Sequence, residues 1–298
     1  MAAAATGVQV GAAIVATRMA VSDVPPLTLA MLRYGIGFLC LLPFVIQKNR
    51  HLTPGGHAWS AIKDIAKPDL VAMAALGIGQ FGVLIALLNF GLLHIGAAPA
   101  ALIFSLFPLL TLLLSSLLGR EPISLRLTAG VVLSLVGVGV SMAPKLGSLG
   151  TGPWWGELAV LASTLVGAIC SVLYRPYLKR YPTLNVSAFA MLASVIFLAL
   201  LAFPEHWPQR LGTFAPHAWA AIIFIGVSSG IGYFLWLYAL KHETPTRVTV
   251  FLSLNPVTAG FLGSAILHEP FDGWMLGATV LIIAGLWLAT QGPVKPAI

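Results

Sequence analysis

Ten apolar runs, each near the length of a membrane-crossing helix, take up almost all of this sequence. They fall near residues 4–21, 27–47, 69–93, 97–118, 123–143, 154–175, 184–204, 216–240, 245–267 and 271–291, parted by Pro, Gly and charge. Crossing the hydrocarbon layer takes about 20 helical residues, because each residue advances about 1.5 Å through a core about 30 Å thick. Only 8% of the residues are charged, against roughly 25% in an ordinary soluble domain, so a soluble globular fold is excluded. The runs 69–93 and 97–118 are separated by His94, Gly96 and Pro99, which rules out one very long helix. Segment 4–21 lacks the basic start of a secretory signal and carries Arg18 near its far end, so we expect it to remain as a helix. The expected fold class is an all-α polytopic membrane protein of ten transmembrane helices.

The net charge of +7 is dispersed through short connectors, as topology signals are, and is not gathered into a nucleic-acid-binding patch. Twelve Lys and Arg fall on one side of the expected membrane; Arg18, Lys145 and Arg210 fall on the other, and Arg33 lies within the second span. The richer side is taken as cytoplasmic, with both termini inside. Trp154, Trp155, Trp207, Trp219 and Trp274 all fall near the outer face, where indole rings favour the headgroup layer. Cys40 and Cys170 sit in apolar runs and offer neither a disulfide framework nor a metal site.

Residues 89–122 laid on 237–270 share nine identities without a gap, among them His94/His242, Ser105/Ser253, Pro108/Pro256, Glu121/Glu269 and Pro122/Pro270. An offset of 157 pairs Arg18 with Arg175 and Pro25 with Pro182. The chain is expected to be a duplicated five-helix unit, residues 1–146 and 147–298. Five crossings per unit make the second copy enter the membrane in the opposite sense, which suits alternating access around a site between the halves. Pro108 and Pro256, at matching places, are the expected helix kinks, freeing the carbonyls of Phe104 and Leu252.

These halves carry "VPPLTLAMLRYGIG" at 24–37, "SLFPLLTLLLSSLLGREPISLRLTAGVVLSLVGVGV" at 105–140 and "SLNPVTAGFLGSAILHEPFDGWMLGATVLIIAGL" at 253–286. In that order of Pro kink, Glu-Pro and Gly-rich last helix, occurring twice, the chain resembles the EamA type of the drug/metabolite transporter superfamily. The resemblance implies ten helices around a central cavity in a transporter of monomeric scale. It also implies export of amino acids or related metabolites, as in aromatic amino acid exporters of the YddG type. One departure is Val10-Gly11, where the family often has Trp beside the first-helix glycine.

All nine acids lie in connectors or near helix ends, so no deep carboxylate is available for exchanging protons against cationic drugs. The seven lysines also lie at ends, which removes a deep cationic clamp for sugar phosphates. A neutral or zwitterionic substrate is therefore expected. Arg33 lies about 9 Å inside the second helix. It is read either as a snorkelling side chain, reaching the interface or pairing with Glu157 or Asp23, or as a carboxylate anchor at the outer cavity mouth. The seven histidines are expected to be interfacial, and Glu121-Pro122 and Glu269-Pro270 to serve as helix starts.

On the eighth span Ser229, Tyr233 and Trp236 share one helical face, and Phe81, Ile85 and Leu88 share the matching face of the third. With Phe104 and Phe107 they predict an aromatic, apolar cavity. Gln80 and Asn89 lie 180° apart on a straight helix, as do Ser253 and Asn255, so one member of each pair should face elsewhere; Gln80 and Asn255 are favoured for the cavity. The glycines, Gly7/Gly11, Gly226/Gly230, Gly130/Gly137/Gly139 and Gly277/Gly285, are assigned to close helix packing.

The sequence thus predicts a bacterial inner-membrane exporter or facilitator of apolar or aromatic amino acids. It is expected to work as a monomer among membrane lipids, with no cofactor, metal or nucleic acid. A flippase of a lipid-linked group and an exporter of other metabolites or drugs are the alternatives. A membrane-embedded enzyme would need a central nucleophile, base or metal constellation, and none is available.

Overall fold

A computed structural model describes residues 2–52, 66–120, 124–146, 154–267 and 273–290, and among these it is helical without a strand. The helices are α1 (Ala2–Ala20), α2 (Pro26–Leu52), α3 (Lys67–His94), α4 (Ala97–Phe104 and Phe107–Leu117), α5 (Leu125–Leu146), α6 (Trp155–Arg180), α7 (Thr183–Leu201), α8 (Pro216–His242), α9 (Pro245–Val250, Phe251–Ser253 and Leu254–Leu267) and α10 (Gly273–Thr290). Within α2, α3, α6, α7 and α8 lie stretches individually long and apolar enough to cross a bilayer, while α4, α5, α9 and α10 contain shorter apolar stretches. The Glu121-Pro122 and Glu269-Pro270 junctions lie outside the described residues.

Three helices depart from regular geometry near the middle of the bundle. Residues Ile78–Val83 of α3 form a π-helical turn. In α4 the helix stops and restarts at Ser105–Leu106, so Pro108 lies in the first turn of the second piece, where its missing N–H costs nothing. The expected kink within a continuous helix is thus a full break. In α9 the 3₁₀ turn Phe251–Ser253 precedes Leu254–Leu267, which puts its irregularity at the matching place. Conversely, α6 continues past Pro176, beyond the expected end at 175. Pro176 cannot donate to Val172 O, and the Arg120 guanidinium donates to that carbonyl instead, at 2.7 Å. Arg120 is aimed there by a turn at Gly119 (φ 64°), in which Gly119 N donates to Ser116 O and Arg120 N to Ser115 O.

The principal helix neighbours are α5 with α10, α1 with α8 and α9, α2 with α7 and α8, α3 with α6 and α7, and α4 with α6 and α9. Exchanging every helix for the one five places along leaves this set unchanged. Close approach is made possible by small residues. A Cβ on Gly130 would stand 2.5 Å from Gly285 O between α5 and α10, and one on Gly77 would stand 2.5 Å from Ala190 O between α3 and α7. Gly139 and Gly277 make no such approach, so the packing role expected of them is not seen.

Contacts between helix ends show the directions of α1, α3, α6 and α8. At one end of the bundle Asp23, after α1, pairs with His217 at the start of α8 at 2.7 Å. There too Gly156, at the start of α6, faces His94 at the end of α3. At the other end Asp69, at the start of α3, accepts from Arg180 at the end of α6 (2.6 Å) and from the Tyr181 hydroxyl (2.7 Å). Ala2 and Ala3 line one groove with Tyr238 and His242 there. Helices α1 and α3 therefore run one way, and α6 and α8 run back.

Candidate functional site

Where the irregular turns of α3, α4 and α9 meet α1, α2 and α8, a central cavity forms. It is lined by Thr6, Gln9, Val10 and Ile14 from α1, Arg33 from α2, Gln80, Leu84, Ile85 and Leu88 from α3, Phe104 and Phe107 from α4, Gly232, Tyr233 and Trp236 from α8, and Leu252 from α9. The lining is apolar and aromatic with a small polar set. Such a composition binds an apolar body and orients it by a few polar contacts.

Arg33 is the charged member. Its side chain is turned inward and is only 5% exposed. Nε donates to Ser229 Oγ at 2.7 Å, and Cζ lies 5.6 Å from the Tyr34 ring centroid, within the range of a cation–π contact. Among the described residues no carboxylate pairs with it: Asp23 binds His217, and Glu205 binds the start of α2. The snorkelling placement expected of Arg33, and its pairing with Asp23, are therefore corrected. The hydroxyl of Ser229 and the ring of Tyr34 hold the guanidinium inward.

Two aromatic groups wall the space. Tyr34, Phe81 and Tyr233 meet edge to face, with centroids 5.1, 5.6 and 4.2 Å apart. Phe107 meets Phe104 at 5.4 Å and Trp236 at 6.0 Å. Gln80 Nε2 reaches the Tyr233 hydroxyl at 3.4 Å, while Gln80 Oε1 and Trp236 Nε1 have no partner among the described residues. One acceptor and one donor are thus left available beside the cavity. Gln9 Nε2 donates to Ser228 Oγ at 3.2 Å, and Gly232 leaves room for the Gln9 carboxamide, which a Cβ there would strike.

The space open to the centres of water molecules is about 40 Å³. At about 10–15 Å³ per water this admits a few waters and no amino acid.

Of the candidates, Gln80, Ile85, Leu88, Phe104, Phe107, Tyr233, Trp236 and Arg33 line the cavity. Phe81 and Ser229 stand behind it, the first against Tyr233 and the second on Arg33. Asn255 does not line it, contrary to expectation. It is fully buried where α9 meets α1, beside Gly11, with its amide atoms unpartnered among the described residues. The side chains of Ser253 and Pro256 lie outside the described residues. Asn89 donates to Pro26 O at 2.9 Å and ties α3 to α2. Sequence reasoning missed the lining residues Thr6, Gln9, Val10, Ile14, Leu84 and Gly232, and Tyr34 behind them on Arg33. A lone carboxamide within an apolar run and a tyrosine beside the buried arginine were the available signals.

Residues 1–143 and 154–291 each match the model described as the EamA-like transporter family. An uncharacterized transporter of Archaeoglobus fulgidus is 27% identical over 282 residues, 94% of each chain. A probable terminal-alkyne amino-acid exporter of Streptantibioticus cattleyicolor is 28% identical over 229 residues, 75% of this chain and 73% of that one. The biotin transporter of Escherichia coli K12 is 25% identical over 268 residues, 87% of this chain and 81% of that one. A crystal structure 24% identical in sequence shares the fold with a TM-score of 0.73 over 96% of each chain. With one match on each half of a helical bundle, and both contributing walls to its central cavity, the chain belongs to the EamA-like transporter family.

Proposed function

We propose that this transporter carries small zwitterionic metabolites across a bacterial inner membrane, foremost amino acids with apolar or aromatic side chains, by alternating access between residues 1–146 and 147–298. The observation that carries the reading is Arg33, a buried guanidinium in an aromatic cavity whose bonded side-chain partner, Ser229, is neutral. A buried charge is costly without a counter-charge, and a substrate carboxylate supplies one. Gln80 Oε1 is a free acceptor for an ammonium group, and the rings of Phe104, Phe107 and Trp236 suit an apolar side chain. Biotin and amino acids, named for two relatives, share a carboxylate.

Two observations support inverted halves: the neighbour pattern survives exchange of each helix for the one five places along, and α1 runs opposite to α6. Rocking one half against the other would open the cavity first to one side and then to the other. On this reading both termini are cytoplasmic and one chain suffices.

The test is uptake of labelled tryptophan, phenylalanine, leucine, threonine, glutamate and lysine into proteoliposomes, without an imposed gradient. Saturable entry of the neutral members, lost in Arg33→Gln, is expected. Equal uptake by Arg33→Gln would remove the anchor. Failure of the whole panel would remove the amino-acid assignment.

A further inference from the structure

We infer that the groove between the ends of α2 and α8 and the α6–α7 junction is a binding site for an anionic phospholipid, held by its phosphate at Lys179 and Lys241 and by one acyl chain along α8. This site is separate from the central cavity and independent of the transported substrate. It has about 820 Å³ open to water centres, some twenty times the central cavity.

Its two ends differ in chemistry. At the helix ends stand Lys179, Arg180, Lys241 and His242. Arg180 is neutralised by Asp69, whereas Lys179 and Lys241 have no acidic partner among the described residues, so the groove keeps an excess of positive charge. The N-terminus of α7, at Thr183 and Leu184, borders the same space, and its helix dipole has the same sign. Towards the middle of the bundle the walls become apolar: Leu41 and Phe44 on α2, Ile231, Phe234 and Tyr238 on α8. Phe44 is 59% exposed and Ile231 is 55% exposed, which places them on the lipid-facing exterior.

The dimensions select the ligand. From Ile231 to Lys241 is ten helical residues, about 15 Å. That is the thickness of one leaflet of a hydrocarbon core about 30 Å deep. A cationic pocket at headgroup depth, continuous with an apolar lane one leaflet long, fits a phosphodiester with an attached acyl chain. A soluble phosphate would leave the lane unfilled. Basic pockets between helix ends recognise lipid phosphates in this way, and neutral headgroups lack the net charge to complement the lysines.

The experiment is titration of the purified full chain in detergent with phosphatidylglycerol, phosphatidylcholine or glycerol phosphate, read by native mass spectrometry and by melting temperature. Phosphatidylglycerol is expected to bind and stabilise, with at least a tenfold preference over phosphatidylcholine, and glycerol phosphate is expected to do neither. The pair Lys179→Gln/Lys241→Gln should lose that preference while keeping the wild-type melting temperature in phosphatidylcholine. Ile231→Asn, in the lane, should weaken phosphatidylglycerol without creating binding of glycerol phosphate. Equal binding of both lipids, a preference that survives the lysine pair, or competition by glycerol phosphate would each overturn the assignment.

Discussion

Glu205 Oε2 accepts two hydrogen bonds from Thr28, from its backbone N–H at 2.7 Å and from its hydroxyl at 2.6 Å, while Oε1 accepts from Leu27 N at 3.1 Å. Pro25 and Pro26 have no N–H, so Leu27 and Thr28 carry the first two donors of α2, and one carboxylate from beyond α7 satisfies both. The negative charge also sits at the positive end of the α2 dipole. A side chain of the second half thereby caps a helix of the first. Glu205→Ala should lower stability by about 1–2 kcal/mol, as loss of a helix cap does. Thr28→Val, which keeps both backbone bonds, should cost less. Thermal melts of the two variants in detergent check the order.

The bond from Arg33 to Ser229 offers a finer test of the cavity than loss of the arginine. Ser229→Ala keeps the charge and removes its positioning hydroxyl. Hydrogen bonds to charged groups are worth about 1.5–3 kcal/mol, so apparent substrate affinity should fall roughly tenfold or more. Concentration-dependent uptake would show this as a raised KM with maximal rate largely kept. An unchanged KM would mean that Ser229 does not position the guanidinium for substrate.

Gly232 and Gln9 share space across α8 and α1, and a methyl group on Gly232 would meet the Gln9 carboxamide. Gly232→Ala should force Gln9 off Ser228, an overpacking penalty of about 1–3 kcal/mol, and reduce transport. Shortening the neighbour relieves the clash, so Gly232→Ala/Gln9→Ala should recover melting temperature towards that of Gln9→Ala alone. A double variant no more stable than Gly232→Ala would refute the shared-space account.

Arg120 and Pro176 form a compensating pair through Val172 O. Arg120→Gln should leave that carbonyl short of a donor, at a cost of about 1–3 kcal/mol. Pro176→Ala restores the N–H that an α-helix normally supplies to it. The double variant Arg120→Gln/Pro176→Ala should therefore melt above Arg120→Gln. Additive destabilisation in a double-mutant cycle would overturn the compensation.

The apolar runs that became α1 to α10 were legible because lipid leaves the backbone one local solution, with every N–H satisfied within its own segment. The matching of Ser105-Leu106-Phe107-Pro108 with Ser253-Leu254-Asn255-Pro256 likewise marked the places of both helix irregularities, though not their form, since proline acts through its own ring and missing N–H. Helical spacing put Phe81 with Ile85 and Leu88, and Ser229 with Tyr233 and Trp236; that Phe81 and Ser229 stand behind the cavity did not follow from it. The break before Pro108, the continuation of α6 through Pro176 and the inward turn of Arg33 did not follow either. The last two depend on partners distant in sequence: Arg120 for Val172 O, and Ser229 for Arg33. The π turn at Ile78–Val83 shifts the phase of α3, so helical spacing could not decide how Gln80 and Asn89 divide their roles. Local chemistry determined which segments form apolar helices. Tertiary packing decided which polar groups are buried together, because a polar side chain in a membrane bundle goes wherever another helix offers it a hydrogen bond.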